Sequence, residues 1–567
     1  MKKRVRALMW IGMCVTVVLG GGCALGGLLG LLNPTVPSTS GAWSFGILSD
    51  TQWTTLDDGR NPNTSAIDII NQVNQQFISK GVKFVVAVGD LADSGSPANE
   101  DVRATYAQAL YNAGIGFYPL RGNHDSSAAV AAEFKNLYPQ TQTGVNNQTP
   151  ASAFSVQTAD PAVQPPAKSG STFVVGANFS SPSPAMAGLS YSFDYSNARL
   201  ILLDQFTPPD GSTNSIDAQM SWITGQLSGR GSNTHAFVFG HKGIITENHV
   251  DNLFGAHPGA DPSGENALIQ GMAQAGARYY ICGHDHMHDR SVVTTTDAAT
   301  ARIDQIVCAS DSSKFYIPVN PSNDSVWDTP RRQTPIAQEL NTVGYYIVTV
   351  DGANVTVDFY SAVVNPAYSS GEYLLFATPA MTFNKRESFG YSLAGKEFII
   401  PQGGSYTAVQ DSYSGSGAVT TMKILSGTNA NTATDPSSRP FSLAVNTGWL
   451  QKTSGLLSDI VRLWGMEYQF GSSATDAYTI SLSFSFKTGS KSMGNTGDLG
   501  VLKLDPSGTK WVNAVAANAG GTPRFVEGPW KASYGLGTYG RDLSTNPPTA
   551  WAVVNSSGTF AVGLLDK

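Results

Sequence analysis

From residue 43 onward, short apolar runs alternate with stretches whose apolar residues fall at helical spacing. Residues 43–48 read as a strand. Residues 64–79 follow a polar cap candidate and set Ile67, Ile70, Val73 and Phe77 on one helical face. Residues 82–88 form a continuous apolar run of the kind found in fully buried strands, and residues 101–112 predict a second helix. Further strands are expected at 115–120, 200–203, 236–239 and 279–282. This alternation predicts a layered α/β core. Residues 344–360 (GYYIVTVDGANVTVDFY) read as a β-hairpin turning at Asp351-Gly352 and closing that core. Between about 138 and 187 the chain is rich in Pro, Ser, Thr and Gln and weak in periodicity, as in a surface excursion. After about 370 the helical pattern nearly vanishes. Gly, Ser and Thr then punctuate strands such as 478–486 and 550–554, which predicts an all-β domain, most simply a sandwich.

At 567 residues the chain is long enough for two or three folded units. Only 14% of residues are charged, so the surface must lean on Ser, Thr, Asn, Gln and Gly. The net charge of −7 carries no basic block, so no electrostatic footprint for nucleic acid is present. Oligomeric state leaves no trace in the composition.

The N-terminus shifts the picture. Lys2, Lys3, Arg4 and Arg6 precede an apolar, Gly-rich stretch from 7 to 32, the pattern of an export signal. Gly20-Gly21-Gly22-Cys23 resembles a bacterial lipoprotein processing site, although Leu19 stands four residues before the Cys rather than three. A lipid anchor at Cys23, a simple membrane anchor and a cleaved peptide all stay open. All three predict a body outside the cytoplasm: periplasmic, tethered to the outer membrane, or extracellular. Cys282 and Cys308 are the only cysteines beyond the signal; they pair in an oxidising compartment or remain buried thiols.

Five segments carry the candidate chemistry, each just after a predicted strand. They are Ser49-Asp50-Thr51-Gln52, Gly89-Asp90-Leu91-Ala92-Asp93, Gly122-Asn123-His124-Asp125, Gly240-His241 and Gly283-His284-Asp285-His286. The C-terminal ends of strands in an open α/β sheet face one crevice, so side chains distant in sequence can converge there. Carboxylates, amide oxygens and imidazoles together suit Zn, Mn or Fe.

In this order the segments resemble the calcineurin-like metallophosphoesterase superfamily, over roughly residues 43–365. The resemblance implies a four-layer αββα sandwich holding two divalent ions. Asp90 would bridge them; Asp50, Gln52 and His286 would complete one site, and Asn123, His241 and His284 the other. His124 would act as general acid or transition-state stabiliser, with Asp93 orienting it. Gln52 departs from the usual His and supplies a neutral, harder oxygen that should weaken that site or shift it toward Mn or Fe. Two such ions about 3.5–4 Å apart lower the pKa of a shared water enough to supply hydroxide near neutral pH.

The expected organisation is a signal or anchor (1–32), a Pro/Ser/Gly tether (33–42), a catalytic domain (43–365) and a β-rich accessory domain (366–567). The expected activity is hydrolysis of phosphomonoesters or phosphodiesters. The alternatives are cleavage of diphosphates or cyclic nucleotides by the same fold, and a non-catalytic cell-surface binding protein. Outside the segments, His249, His257 and His288 lie near the later motifs, and residues 246–265 read as a substrate-side loop or an ordinary surface loop. Asp125 and Asp285 are expected to support the ligands or face solvent. His235 is expected at the surface, Lys242 and Arg290 are expected to be solvated or else to meet a phosphate, and Trp511, Trp530 and Trp551 are expected in the core.

Overall fold

The computed structural model describes residues 36, 41–52, 62–146, 173–256, 261–296, 301–319, 332–369, 372–375, 380–415, 418–429, 434, 439–466, 477–485, 499–516, 518 and 522–565. The expected signal, most of the tether, His257 and the middle of the 138–187 stretch lie outside them. No helix among the described residues is long and apolar enough to cross a membrane.

Two mixed sheets stack face to face. The first has six strands in the order Asn384–Ser392, Asn354–Val363, Thr342–Asp351, Trp43–Leu48, Phe84–Val88, Gly116–Leu120, the last three mutually parallel. The second has eight: Gln333–Glu339, His288–Thr294, Arg302–Val307, Tyr279–Cys282, His235–Gly240, Ala198–Leu203, Tyr191–Tyr195, Ala177–Ser180. Its four central strands, from Arg302–Val307 to Ala198–Leu203, are parallel. Strands buried on both faces read as unbroken apolar runs, and Phe84–Val88 is buried throughout.

Between the sheets, Phe45, Phe84, Tyr118, Phe193, Phe237, Tyr279, Tyr346 and Phe359 form one apolar cluster. Helices Pro62–Lys80, Pro97–Thr105, Gln108–Asn112 and Ala128–Leu137 cover the outer face of the first sheet. Ile216–Ser228 and Pro262–Gln274 cover that of the second. This is the four-layer αββα sandwich.

The helix expected at 101–112 is two helices. The Asn74 side chain donates to the Tyr106 carbonyl at 3.0 Å, and the chain tightens there to i→i+3 bonds, Tyr106 to Arg103 and Ala107 to Ala104. The hairpin turns at Gly352 as expected, and its first strand pairs with Trp43–Leu48. The sheet then continues past residue 365, because Asn384–Ser392 pairs with Asn354–Val363. The stretch after 138 is not wholly a surface excursion, since Ala177–Ser180 is the edge strand of the second sheet.

Beyond Ser392 the chain is β-rich. A six-stranded and a seven-stranded sheet enclose a separate core that includes Met422, Val445, Ile460, Tyr478, Val501 and Phe560. Trp511 and Trp551 are buried, as expected of core residues, whereas Trp530 is only half-buried. Cys282 and Cys308 are buried free thiols at the ends of neighbouring parallel strands.

Candidate metal centre

The five segments meet where the parallel strands of both sheets end. Asp50 follows Leu48, Asp90 follows Val88, Asn123 follows Leu120, His241 follows Gly240 and His284 follows Cys282. Nine described non-glycine residues have positive φ, and five are here: Asp50 (51°), Gln52 (37°), Asp90 (47°), His284 (74°) and His286 (51°). Such backbone costs about 1–3 kcal/mol per residue and persists where packing over-determines it, which happens most often at functional sites. The loops clasp one another: Asp50 N–H donates to Gly89 O at 3.2 Å and Gln52 N–H to Asp90 O at 2.9 Å. Two motif glycines are required by close approach. A Cβ on Gly122 would lie 1.9 Å from Asp90 Oδ1, and one on Gly283 2.4 Å from Asp50 Oδ2.

Two groups of ligand atoms share one residue. Asp90, His241 and His284 form the first and Asp50, Asp90 and His286 the second, with the atoms of each within 4.8 Å of one another. The hydrogen bonds around them aim ring nitrogens at acceptor oxygens. His241 Nδ1–H donates to the Val88 carbonyl at 2.9 Å, which turns Nε2 toward Asn123 Oδ1 at 2.9 Å and Asp90 Oδ2 at 3.3 Å, two oxygens that it can meet only through a proton or a shared cation. His286 Nδ1–H donates to the Lys314 carbonyl at 3.0 Å, and its Nε2 faces Asp50 Oδ1 at 3.5 Å. Gln52 Oε1 is buried without a hydrogen-bond partner. Lone pairs converging in a buried space need a proton or a cation between them, and this mixed N/O set suits Zn, Mn or Fe.

The electrostatics agree. Burial pushes the Asp50 carboxyl up to about 7, with His241 opposing and Asp90 adding to the rise. Burial also acts to raise Asp90, but His241, His124 and His284 hold it well below the usual carboxylate range. Burial lowers His284 to about 4 and His286 to about 3, leaving both rings neutral and able to donate a lone pair at pH 7. For His241 burial is outweighed by Asp90 and Asp50, and the ring rises to about 9.

Asp50, Gln52, Asp90, Asn123, His241, His284 and His286 are thus brought together. His124 stands at their edge, about a third exposed, with Nε2 3.9 Å from Asp90 Oδ2. Position 93 holds it differently from the expectation. The Asp93 main-chain carbonyl takes His124 Nδ1–H at 2.6 Å, whereas the Asp93 carboxylate is 3.8 Å away and pairs with Lys314.

Asp125 and Asp285 are buried, not solvent-facing. Asp125 accepts the N–H groups of Leu91, Ala92 and Gly122, tying the second and third segments. Asp285 accepts from Glu247 N–H, His249 N–H and His249 Nδ1–H, which brings the 246–250 loop to the centre. Three expectations of surface groups fail. Lys242 is buried against Asp251, and Arg290 is buried against Glu387. His235 begins its strand but is buried, bonded to Tyr391 and the Gly352 carbonyl.

Sequence reasoning missed Ser49, whose hydroxyl donates to Asp50 Oδ2 at 2.6 Å. It also missed Lys314, Asp251 and Tyr316, whose ring lies 4.8 Å from that of His286. Ser49 opens the first segment and Asp251 lies in the 246–265 stretch, but neither shows its partner in the sequence, and Lys314 and Tyr316 stand in no motif.

Residues 44–288 match the family model for calcineurin-like phosphoesterases. This region is a calcineurin-like phosphoesterase domain. It is a domain of the phosphoric ester hydrolases, whose reaction is metal-dependent hydrolysis of phosphoesters. Among solved structures the chain is similar to PhoD, at 13% identity and a TM-score of 0.34 over 64% of this chain and 71% of that one. It is also similar to the purple acid phosphatase PPD1 from yellow lupin (Lupinus luteus) seeds, at 12% identity and a TM-score of 0.31, covering 56% and 51%. A dimetal phosphatase from Danio rerio shares 13% identity at a TM-score of 0.30, covering 56% and 95%. No curated protein matches the chain. The phosphoesterase domain ends its match at His288, before the strands that complete both sheets.

Proposed function

We propose that the protein hydrolyses phosphomonoesters or phosphodiesters outside the cytoplasm, using two divalent ions (Mn, Fe or Zn) that share the Asp90 carboxylate. The observation that carries this reading is the pair of ligand groups meeting at Asp90, with Gln52 Oε1 unpartnered beside them. Asp50, Gln52 and His286 would hold one ion, and Asn123, His241 and His284 the other. Bound there, the ions would supply a water of lowered pKa and neutralise phosphoryl charge.

The chain's own groups do the rest. His124, fixed by the Asp93 carbonyl at Nδ1, presents Nε2 to the cleft edge and can hold a proton there for the departing alkoxide. Lys314 steadies two sides at once, its carbonyl on His286 and its ammonium on Asp93. The location outside the cytoplasm is supported by the basic n-region and the apolar stretch that follows it.

The test combines metal analysis of the purified chain with turnover of p-nitrophenyl phosphate, its bis ester and a nucleoside diphosphate compound. Stoichiometric transition metal and cleavage of the monoester or the bis ester are expected. Preference for the diphosphate would move the reading to the alternative substrate class. A chain with neither metal nor turnover would sink it in favour of a binding protein.

A further inference from the structure

We propose that Asp251 is a positioning residue for the metal centre: its carboxylate holds the Nε2–H of His284 and commits Nδ1 of that ring to the cation. The proposal rests on the two-ion reading above and adds to it a residue that no motif contains.

Asp251 Oδ1 lies 3.1 Å from His284 Nε2. An ionised carboxylate only accepts, so the ring nitrogen donates and Nδ1 keeps the lone pair. The other carboxylate oxygen, Oδ2, takes the ammonium of Lys242, the residue after His241. Asp251 sits in a short pairing of Asp251–Asn252 with Gly255–Ala256. Buried Asn252 anchors that turn, donating to the Ile244 carbonyl at 3.0 Å and accepting from Phe254 N–H at 2.8 Å.

The His284 ring is held elsewhere too. His249 stacks on it with centroids 4.0 Å apart, and His241 meets it edge-on at 5.1 Å. The three histidines of the centre then obey one rule, in which the nitrogen turned away from the ligand group donates to a fixed oxygen. For His241 that oxygen is Val88 O and for His286 it is Lys314 O. Only His284 uses a carboxylate, which orients the ring and raises its basicity as a ligand.

The competing account is that Asp251 simply forms an ion pair with Lys242. Calorimetric titration of metal-free protein with Mn²⁺ separates the two. Asp251→Ala should weaken one of two binding steps by about 10–100-fold. Asp251→Asn, which keeps an acceptor oxygen, should lose less. Lys242→Met removes the ion pair but leaves the acceptor on His284, so its loss should be smaller than that of Asp251→Ala. Equal losses in Asp251→Ala and Lys242→Met, or native affinity in Asp251→Ala, would overturn the proposal.

A second measurement needs no variant at position 251. Histidine ¹⁵N spectra of the native metal-free chain, with His284 assigned through His284→Gln, should show the Nε2–H tautomer. An Nδ1–H tautomer would overturn the positioning role while leaving phosphoester hydrolysis standing. A chain that binds two ions and cleaves no ester would do the reverse.

Discussion

His284 and His288 stand four residues apart, both buried and both bonded to a carboxylate, yet their surroundings end in opposite states. Around His288 its own partners answer one another. Its Nε2 meets Glu387 Oε2 at 3.0 Å, Arg290 takes Glu387 Oε1, and the Tyr346 hydroxyl bonds Nδ1 at 2.8 Å. Burial works to raise the Glu387 carboxyl, but Arg290 and His288 outweigh it and hold it at about 2. Around His284 the balance fails: Asp50 is pushed up to about 7, Asn123 Oδ1 and Asp90 Oδ2 converge on one nitrogen of His241, and Gln52 Oε1 has no partner. A buried polar cluster that satisfies itself is framework, whereas one short of positive charge is built for a ligand that brings it.

Breaking the comparison begins at its most loaded residue. Asp90→Asn should abolish hydrolysis and strip metal; full turnover with both ions retained would refute the shared-ligand arrangement. His124→Ala should lower kcat by about 10²–10⁴ with metal content intact. Its effect should be greater for alkyl than for p-nitrophenyl esters, because the poorer leaving group needs the proton more. If the two ester types fall equally, His124 is not the acid.

The self-satisfied cluster predicts the opposite signature. Glu387→Gln leaves Arg290 buried without its carboxylate and should cost about 3–5 kcal/mol of stability with metal stoichiometry unchanged. In the native chain Glu387 has a folded pKa of about 2 against an ordinary 4.5. A depressed folded pKa stabilises above the unfolded value, so this contribution is full above about 4.5 and fades as pH falls toward 2. Urea unfolding in that range should show native and Glu387→Gln proteins converging; a constant gap would contradict the pairing. Smallest of all, Gln52→His should alter metal preference or affinity at the Asp50 side. Superimposable titrations for Zn²⁺ and Mn²⁺ would mean that Gln52 does not coordinate.

Much of the fold was legible because strands buried on both faces, such as Phe84–Val88, announce themselves as apolar runs. Helix continuity through Tyr106 was not, since a side chain 32 residues earlier takes its carbonyl. Nor was Asn384–Ser392 as part of the first sheet, because strand pairing across distant sequence leaves no local mark. The exposure of Lys242 and Arg290 was misjudged for a related reason: a cation's partner, Asp251 or Glu387, is chosen by the fold.

From the order of residues alone came the donor types, their glycine-framed turns after strands, and the alternation that places those turns at one end of a layered core. Tertiary structure alone decided which nitrogen of each histidine faces inward, and that Asp93 meets His124 through its carbonyl rather than its carboxylate. It also decided that His284 lies beside converging oxygens of Asp50, Asp90 and Asn123, while the partner of His288 is closed by an arginine. The reason is physical. Donor identity is a property of one residue, whereas protonation, tautomer and charge balance are set by whatever lies within about 3 Å, and folding draws those neighbours from anywhere in the chain.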